Sequence, residues 1–303
     1  MKKIFNFIIV VMMAAALIIA LGCGNLADKS KNADGSKATT TQAKTNESVT
    51  IKMLNIGQGD SILIKTAHQV ILIDTGDVDM RDKLVELLKK ENVHQIDKLI
   101  ITHPHADHLG GAYAVLKDFD VKQVYDNGQT TSNATYRTYM KLITSKKIPY
   151  KQLLDCENID FGSGVSFRVF SPTADEIKAG GDLNSNSIVG KLVYDKFSML
   201  FTGDCEADRE KVILAKYGNQ LKSTILKSPH HGSKTSSNRE YLKAIASEAV
   251  LISCGVNNDY KHPHDVTMNK YNDLKMKIYR TDKDGSITIE TDGNTYKIRK
   301  ENT

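Results

Sequence analysis

The sequence predicts a mixed α/β domain of the α+β class, built from sheets with helices packed on the outside. Short β-rich runs come first as a meander around the glycine turn at residues 55–60, and later apolar runs alternate with amphipathic segments. Such an order favours helices lying against sheet faces. With 303 residues, of which 40% are hydrophobic, the chain is long enough for one sizeable core.

The N-terminus, residues 1–22, is predicted to be a lipoprotein-type signal peptide outside this domain. Lys2 and Lys3 precede an almost uninterrupted apolar run. The residues before Cys23 resemble a bacterial lipobox, in which the cysteine is lipidated after cleavage, although Ala20 stands where leucine is commonest. The alternative is an uncleaved anchor, since the run is near the lower limit for a membrane span. In both cases we expect an extracytoplasmic protein tethered to the cell membrane.

The domain itself is predicted to cover residues 49–303, after a flexible polar tether at residues 23–48. Loss of residues 1–22 removes two lysines and no acidic residue, so the formal net charge falls from +5 to +3. This mild balance is compatible with an anionic substrate but does not by itself indicate a nucleic-acid binder. The cysteines after Cys23 are odd in number and lack CxxC spacing, which argues against a disulfide framework.

The first half of the domain opens with a predicted meander of three strands. After it we expect an amphipathic helix, a strand that leads into "HPHADH", a second helix, another strand and a third helix. The ranges are strands at 49–54, 61–66, 69–76, 97–102 and 121–126, and helices at 79–92, 109–119 and 133–147.

The second half repeats the alternation. A hairpin is predicted around Asp195 and Lys196, a helix after Asn238 and another from about Asp265, and the tail reads as strands joined by Asp-Gly turns. The remaining predicted elements are strands at 165–172, 223–228 and 248–255 and a helix at 206–218.

Three apolar strands end abruptly in residues that bind metals. "KLIIT" runs into "HPHADH", "SMLF" into "TGD" and "TILKS" into "PHHGS". If these strand ends gather at one edge of a sheet, their side chains come together. The "HPHADH" turn alone places four nitrogen and carboxylate donors within six residues, a pattern suited to zinc, manganese or iron.

These donors predict a centre for two divalent ions. The metal ligands that we expect are His103, His105, Asp107, His108, Asp204 as a bridge, and one of His230 and His231. Two adjacent dications lower the pKa of a shared water towards neutrality and polarise the bond under attack, so the implied chemistry is hydrolysis. Phosphate esters suit such a centre particularly well, although amides and lactones are also possible substrates.

Other residues receive supporting roles as hypotheses. Asp74 is a candidate to hold the metal turn from behind, with a plain turn aspartate as the alternative. His262 is a candidate to protonate a leaving group. Ser233 and Lys227 are candidates to contact a phosphate, against the alternatives of a helix cap and a surface lysine. Cys205 is interpreted as a partly buried bystander, against the alternative of a nucleophile or metal ligand.

Taken together, the motifs resemble the metallo-β-lactamase superfamily. "NIGQGDSILI", "ITHPHADHLGG", "NSNSIV", "LFTGD" and "LKSPHHGSKTSS" are similar to the hydrolase domain of the ComEC family of DNA-uptake proteins, over about residues 50–290. The resemblance implies an αββα sandwich with a binuclear metal site at one edge. ComEC proteins join this domain to membrane-spanning channel segments, which this sequence lacks, so a role in DNA uptake does not carry over.

The sequence departs from the wider superfamily at one metal ligand. Many members have a further metal-binding histidine before the bridging aspartate, but no histidine lies between His108 and His230. The resemblance puts "NSNS" in this region, so Asn184, Asn186, a serine or water is expected to fill the position. The first metal is then expected to bind less tightly, which makes Mn²⁺ an alternative to Zn²⁺.

The leading hypothesis is therefore a membrane-tethered, metal-dependent phosphodiesterase, with Asp107, Asp204 and His262 in catalytic roles and extracellular DNA as the favoured substrate. Cell-wall phosphodiesters are the nearest rival. A hydrolase of lactones, thioesters or β-lactams is a second hypothesis. A protein that binds metal or DNA without catalysis is a third, because of the missing histidine. The sequence does not specify an oligomeric state.

Overall fold

A computed structural model of the chain describes residues 47–302. The predicted signal peptide, the lipidation site at Cys23 and nearly all of the tether lie outside these residues and stay predictions. Within residues 47–302, none of the helices is long and apolar enough to cross a membrane.

Two large sheets form the centre of the domain. The strands are β1 Val49–Met53, β2 Ile62–Lys65, β3 Val70–Ile73, β4 Gln95–Ile96, β5 Lys98–Ile101, β6 Asp120–Val121, β7 Val124–Asp126, β8 Tyr150–Gln152, β9 Asn158–Asp160, β10 Ser166–Ser171, β11 Val189–Tyr194, β12 Phe197–Phe201, β13 Ile225–Lys227, β14 Ala249–Ile252, β15 Lys277–Arg280, β16 Ile287–Thr291 and β17 Tyr296–Lys300. The first sheet has the order β17-β16-β1-β2-β3-β5-β7-β8 and the second β15-β14-β13-β12-β11-β10-β9, while β4 and β6 form a separate pair.

Most of the α-helices among residues 47–302 pack on the outer faces of the two sheets. The α-helices are α1 Arg81–Lys90, α2 Ala106–Leu109, α3 Ala112–Asp118, α4 Ala134–Lys146, α5 Ala174–Ala179, α6 Ala207–Tyr217, α7 Arg239–Ile245, α8 Asp265–Asp273 and α9 Thr281–Asp284. One core joins the inner faces of the two sheets, a second packs α1, α3 and α4 on the first sheet, and a third packs α6, α7 and α8 on the second. This is the αββα sandwich that the resemblance implied.

The order of strands explains how the functional loops meet. β3 and β5 are parallel in the first sheet, and β12, β13 and β14 are parallel in the second, so each group ends at one edge. The Ile188 N–H donates to the Thr102 carbonyl at 2.9 Å and links the segments after α5 and after β5. The expectation that one sheet edge gathers all three motifs was therefore incomplete, because the motifs come from edges of two sheets.

Glu210 ties α6 to the segment before α7. Its buried carboxylate accepts the N–H groups of Ser237 at 2.7 Å and Asn238 at 2.6 Å. Burial raises the pKa of Glu210 to about 7 and outweighs the two hydrogen bonds, which favour the charged form.

This shift predicts a pH dependence of stability. The folded-state pKa lies above the ordinary value of 4.5, so the stabilisation is complete below that value and is lost as pH rises through about 7. We expect the free energy of unfolding, from urea titrations of the metal-free protein, to fall over this window. Glu210→Gln should lack this component, whereas the exposed control Glu240→Gln should retain it. An identical pH slope in wild type and Glu210→Gln would contradict the assignment.

Candidate metal centre

The "HPHADH" segment divides its donors between a loop and a short helix. His103 and His105 precede α2, and Asp107 and His108 lie on it. His103 and His108 are buried, and His103 Nε2 lies 3.0 Å from His105 Nδ1. The loop between β1 and β2 presses on this helix, since a Cβ at Gly59 would lie 2.3 Å from the Asp107 carbonyl oxygen. Glycine is therefore required at this close approach.

Four residues from three segments form what we call the buried donor cluster: Asp107, His108, Asp204 and His231. Each offers one ligand atom, and these atoms all lie within 4.8 Å of one another. His108 Nε2 is 3.1 Å from Asp204 Oδ1, and His231 Nε2 is 3.3 Å from Asp107 Oδ2 and 3.4 Å from Asp204 Oδ2. The predicted ligands from all three strand-end motifs thus converge.

The buried polar atoms of the cluster fit a bound cation. Among residues 47–302, the buried atoms without a well-aligned hydrogen bond include His108 Nε2, Asp204 Oδ1 and His231 Nε2, although each nitrogen lies within 3.3 Å of a carboxylate oxygen of the cluster. Buried polar atoms are rarely left without a partner, and imidazole nitrogens with carboxylate oxygens are the donors that zinc and manganese accept. The residues therefore fit a divalent ion, with these four as its holders.

Both histidines of the cluster are oriented from behind. His108 Nδ1 donates to Asp74 Oδ2 at 2.8 Å, and His231 Nδ1 donates to the Ser253 carbonyl at 2.9 Å. Asp74 also accepts from the Thr102 N–H and hydroxyl, each at 2.7 Å. Hydrogen bonds of this kind fix the tautomer and leave Nε2 for an ion. The contact expected of Asp74 is present.

The carboxylates control the protonation of these histidines when no ion is bound. Burial lowers the pKa of His231, but Asp204 and Asp60 outweigh it and raise the pKa to about 10. For His108, too, burial opposes protonation, but Asp204, Asp74 and Asp107 together raise its pKa well above the ordinary range. Metal binding has to displace such protons, so it is coupled to proton release.

His230 and His231 differ in position although they are neighbours. His231 is 1% exposed, whereas the His230 side chain is 19% exposed and its Nε2 lies 3.7 Å from Asp204 Oδ2. His230 Nδ1 contacts Glu206 at 3.4 Å and the Thr235 hydroxyl at 3.2 Å. The geometry therefore favours His231 as the ligand in the cluster and leaves His230 on the cleft wall.

The first metal position is less complete. His103 and His105 face each other, but the structure does not gather them with a third donor as closely as the buried donor cluster. Of the candidates in "NSNS", Asn184 lines the cleft beside His105 and Asp204, and its buried Oδ1 makes no hydrogen bond. Asn184 is thus the residue of this segment best placed to contribute an oxygen.

Asn186 has a structural role instead. Its amide nitrogen donates to Gln129 Oε1 at 3.1 Å, and its oxygen accepts from the Arg209 guanidinium at 3.1 Å. The interpretation of Asn186 as a metal or substrate contact is not supported by this geometry, because both ends of its amide are already bonded. Ser187 likewise accepts from the Asp204 N–H at 3.1 Å.

Lys227 is the clearest departure from the sequence interpretation. Instead of reaching a phosphate, it is fully buried and forms an ion pair with Asp60 beneath the cluster. Its Nζ donates to the Gly203 carbonyl at 3.0 Å and lies 3.8 Å from Asp204 Oδ1. Burial lowers the pKa of Lys227, but the neighbouring Asp60 and Asp204 raise it by more than burial lowers it. The pKa therefore lies above the ordinary value, and the side chain stays charged.

Ser233 and Cys205 are also structural. The Ser233 hydroxyl is buried and bonds the Thr235 hydroxyl at 3.0 Å, so it does not reach towards a phosphate. Cys205 follows Asp204 in the sequence and is buried. Burial raises the pKa of its thiol well above the ordinary value. It is therefore a neutral thiol, as its interpretation as a bystander predicted.

A cleft of about 360 Å³ opens over the cluster. Its lining includes Gln58, His105, Asn184, His230 and His262 together with members of the cluster. His262 is held by a contact of 3.5 Å between its Nδ1 and Gln58 Nε2. Burial, followed by the neighbouring histidines, lowers the pKa of His262 to about 4. His262 is then neutral at pH 7, which does not favour the proposed role as the acid for a leaving group.

Comparisons with known proteins agree with this architecture. Residues 54–150 match the profile of the metallo-β-lactamase superfamily. The fold is similar to that of YhfI from Bacillus subtilis, described as a metallo-β-lactamase fold protein, with a TM-score of 0.54, 11% identity and coverage of 81% of this chain and 100% of that one. It is also similar to CmlA from Streptomyces venezuelae, described as a diiron β-hydroxylase, with a TM-score of 0.53, 15% identity and coverage of 80% and 54%.

Curated relatives extend over most of the chain. ComE operon protein 3 of Bacillus subtilis is 28% identical over 255 residues, covering 78% of this chain and 32% of its own length. Competence protein ComA of Neisseria gonorrhoeae is 30% identical over 238 residues, covering 78% and 31%. Recombination protein 2 of Haemophilus influenzae is 29% identical over 244 residues, covering 79% and 28%. This chain thus spans about a third of the length of these relatives.

Members of the metallo-β-lactamase superfamily are generally metal-dependent hydrolases. CmlA is an exception, because it is described as a diiron β-hydroxylase. The comparisons agree with the sequence motifs and with the sandwich architecture. The chain therefore contains a metallo-β-lactamase domain related to the ComEC-family competence proteins.

Proposed function

We propose that this chain is a metal-dependent hydrolase of phosphodiesters, with extracellular DNA as its substrate and two Zn²⁺ or Mn²⁺ ions as cofactors. One observation carries the proposal: the buried donor cluster presents nitrogen and oxygen atoms without well-aligned hydrogen bonds at the floor of an open cleft. When bound, divalent ions at such a centre polarise a phosphoryl oxygen and lower the pKa of a water towards neutrality.

The protein's own residues supply position and charge. Asp74 and the Ser253 carbonyl hold the rings of His108 and His231, so that the donors are preorganised before substrate binds. On the cleft wall, His230 and His262 are placed to donate a ring N–H to a phosphodiester oxygen. Membrane attachment through Cys23, as the sequence predicts, would hold this cleft outside the cytoplasm.

The experiment is a substrate panel with purified, metal-loaded protein. We expect cleavage of DNA and of bis(4-nitrophenyl) phosphate, and a loss of about 10²-fold or more in His105→Ala, since an ion that polarises the phosphoryl group is worth several kcal/mol. The matched control is His68→Ala, because the His68 side chain is 67% exposed and is not part of the lining of the cleft.

Three results would reject the proposal. Turnover of lactones, thioesters or β-lactams but not of phosphodiesters would assign the centre to the second hypothesis. Less than one tightly bound ion per chain, with DNA bound but uncut, would indicate a binding protein. If His105→Ala were as active as wild type on every substrate, hydrolysis would not depend on the metal centre described above.

A further inference from the structure

The outer end of the cleft is formed by the loop between β14 and α8, residues 253–264. Tyr260 lies on this loop, lines the cleft with His262, and yet is 65% exposed. Tyr260 is therefore open to solvent and at the same time placed where it can contact a ligand that enters the cleft.

Three rings form a continuous stack from the cluster to the solvent. His231 and His262 are stacked with ring centroids 6.1 Å apart and planes 26° apart, and His262 and Tyr260 are stacked at 5.6 Å and 21°. His262 covers one face of Tyr260, and the Tyr260 side chain is still 65% exposed. A further planar ring placed on the opposite face would extend the stack by one member.

The loop that carries Tyr260 is held in place before any ligand binds. The Asn258 amide nitrogen donates to the carbonyls of Gly255 at 2.9 Å and His262 at 2.7 Å, while its oxygen accepts the His262 N–H at 2.9 Å. The Gly255 N–H donates to Gln58 Oε1 at 3.2 Å. Such bracing lowers the ordering cost of binding, so a ring stacked on Tyr260 retains more of its contact energy.

The charges in the depression on one side of Tyr260 favour a base over a phosphate there. Asp77, Asp79 and Asp259 line the depression that adjoins the cleft on the side of Tyr260. These carboxylates repel a phosphate, but they do not exclude the uncharged face of a nucleobase. A nucleotide strand would then place a phosphate towards the cluster and a base against Tyr260.

From these observations we infer that Tyr260 is the stacking platform for a nucleobase at the outer end of the cleft. The inference rests on the proposed function, because it specifies single-stranded nucleic acid as the phosphodiester that the cleft accepts. Base stacking on an aromatic side chain tolerates any sequence, so this subsite would bind without base preference. It distinguishes nucleic acid from polyol phosphates, which have no flat ring to stack.

The test is equilibrium binding, which does not need turnover. Metal-loaded protein is titrated with a fluorescent eight-residue phosphorothioate oligothymidylate, which resists hydrolysis, and with versions that carry one abasic residue at each position in turn. We expect Tyr260→Ala to weaken binding of the intact oligonucleotide by about 5- to 150-fold, the range for one stacked base. Tyr260→Phe and Tyr260→Trp should bind like wild type.

The abasic series separates stacking from a general structural effect. One abasic position should weaken binding to wild type by the same factor, but should have no effect on Tyr260→Ala. The control is Tyr113→Ala, which alters a 37% exposed tyrosine on α3, outside the lining of the cleft. Quenching of 2-aminopurine at the sensitive position should be seen with wild type and absent from Tyr260→Ala.

The inference is overturned if wild type binds the abasic and intact strands equally, or if Tyr260→Ala responds to the abasic position as wild type does. It is also overturned if an equal length of polyol phosphate binds as tightly as DNA. These results are distinct from failure of the proposed function. A protein that binds DNA through Tyr260 without cleaving it would retain the subsite and lose the hydrolase assignment.

Discussion

Replacing His231 with alanine is expected to remove tight metal binding at the buried donor cluster and to lower hydrolysis by about 10³-fold or more. An ion that polarises the reacting group is worth several kcal/mol, and each 1.4 kcal/mol is a factor of ten in rate. His231 is the buried member of the histidine pair, and its Nε2 faces two carboxylates at 3.3 and 3.4 Å.

The neighbouring histidine supplies a matched control. His230 also has a left-handed backbone, with φ of 47° against 52° for His231, so an alanine is placed in the same strained region at either position. Its ring nitrogens contact Thr235, Glu206 and, at 3.7 Å, Asp204 from the cleft wall. We therefore expect His230→Ala to keep the ion of the cluster, with its effect confined to turnover.

Calorimetric titration and metal analysis of the two variants measure this difference directly. A ligand that binds only the folded state raises its stability, so metal should also raise the melting temperature of wild type and His230→Ala but not that of His231→Ala. The opposite result, with metal retained by His231→Ala and lost by His230→Ala, would reassign the ligand and remove His231 from the cluster.

The parts of the site that lie close together in sequence could be predicted well. The "HPHADH" segment keeps its donors within six residues, so a strand end followed by one short helix is enough to present them. The αββα sandwich also followed from the motifs, and most elements were placed within a few residues. The helix Thr281–Asp284 was missed because four polar residues carry no apolar period.

Residues whose role depends on packing between the sheets could not be predicted. Lys227 reads as a strand-end surface lysine, and only the meeting of β13 with the loop after β1 buries it against Asp60. Asn184 and Asn186 look equivalent in "NSNS". They differ in the fold because Arg209 and Gln129 form hydrogen bonds with the side-chain amide of Asn186. The motif "HPH" at residues 262–264 gave no sign that Tyr260 stacks on its first ring.

The ion pair of Lys227 and Asp60 leads to the second large expected effect. We expect Lys227→Met to lower the free energy of unfolding by about 3–5 kcal/mol, because the buried Asp60 carboxylate loses its ammonium partner and keeps only more distant histidine rings, at 3.5 and 3.9 Å. For a domain of this size the melting temperature should fall by roughly 6–20 °C. Denaturant titration of the metal-free protein measures the change, with Lys122→Met at an exposed pair as the control, for which the loss should stay within about 1 kcal/mol.

The double variant Asp60→Asn with Lys227→Met tests the cause. If the loss comes from a carboxylate that has lost its ammonium partner, removal of both charges should recover much of the stability. A buried ion pair is often little more stabilising than the neutral side chains that replace it. No recovery in the double variant would mean that Lys227 acts mainly through its hydrogen bond to the Gly203 carbonyl.

Metal affinity distinguishes this structural role from the substrate contact that the sequence suggested. Lys227 Nζ lies 3.8 Å from Asp204 Oδ1, so its positive charge opposes a cation at the cluster. Provided that Lys227→Met remains folded, we expect it to bind Zn²⁺ or Mn²⁺ at least as tightly as wild type and to keep its affinity for a phosphodiester. Loss of phosphodiester binding at unchanged stability would support the direct contact between Lys227 and a phosphate that the sequence suggested. Weaker metal binding would mean instead that the lysine holds Asp204 in place, since a side chain that has lost its fixed position binds an ion less well even when a nearby positive charge is gone.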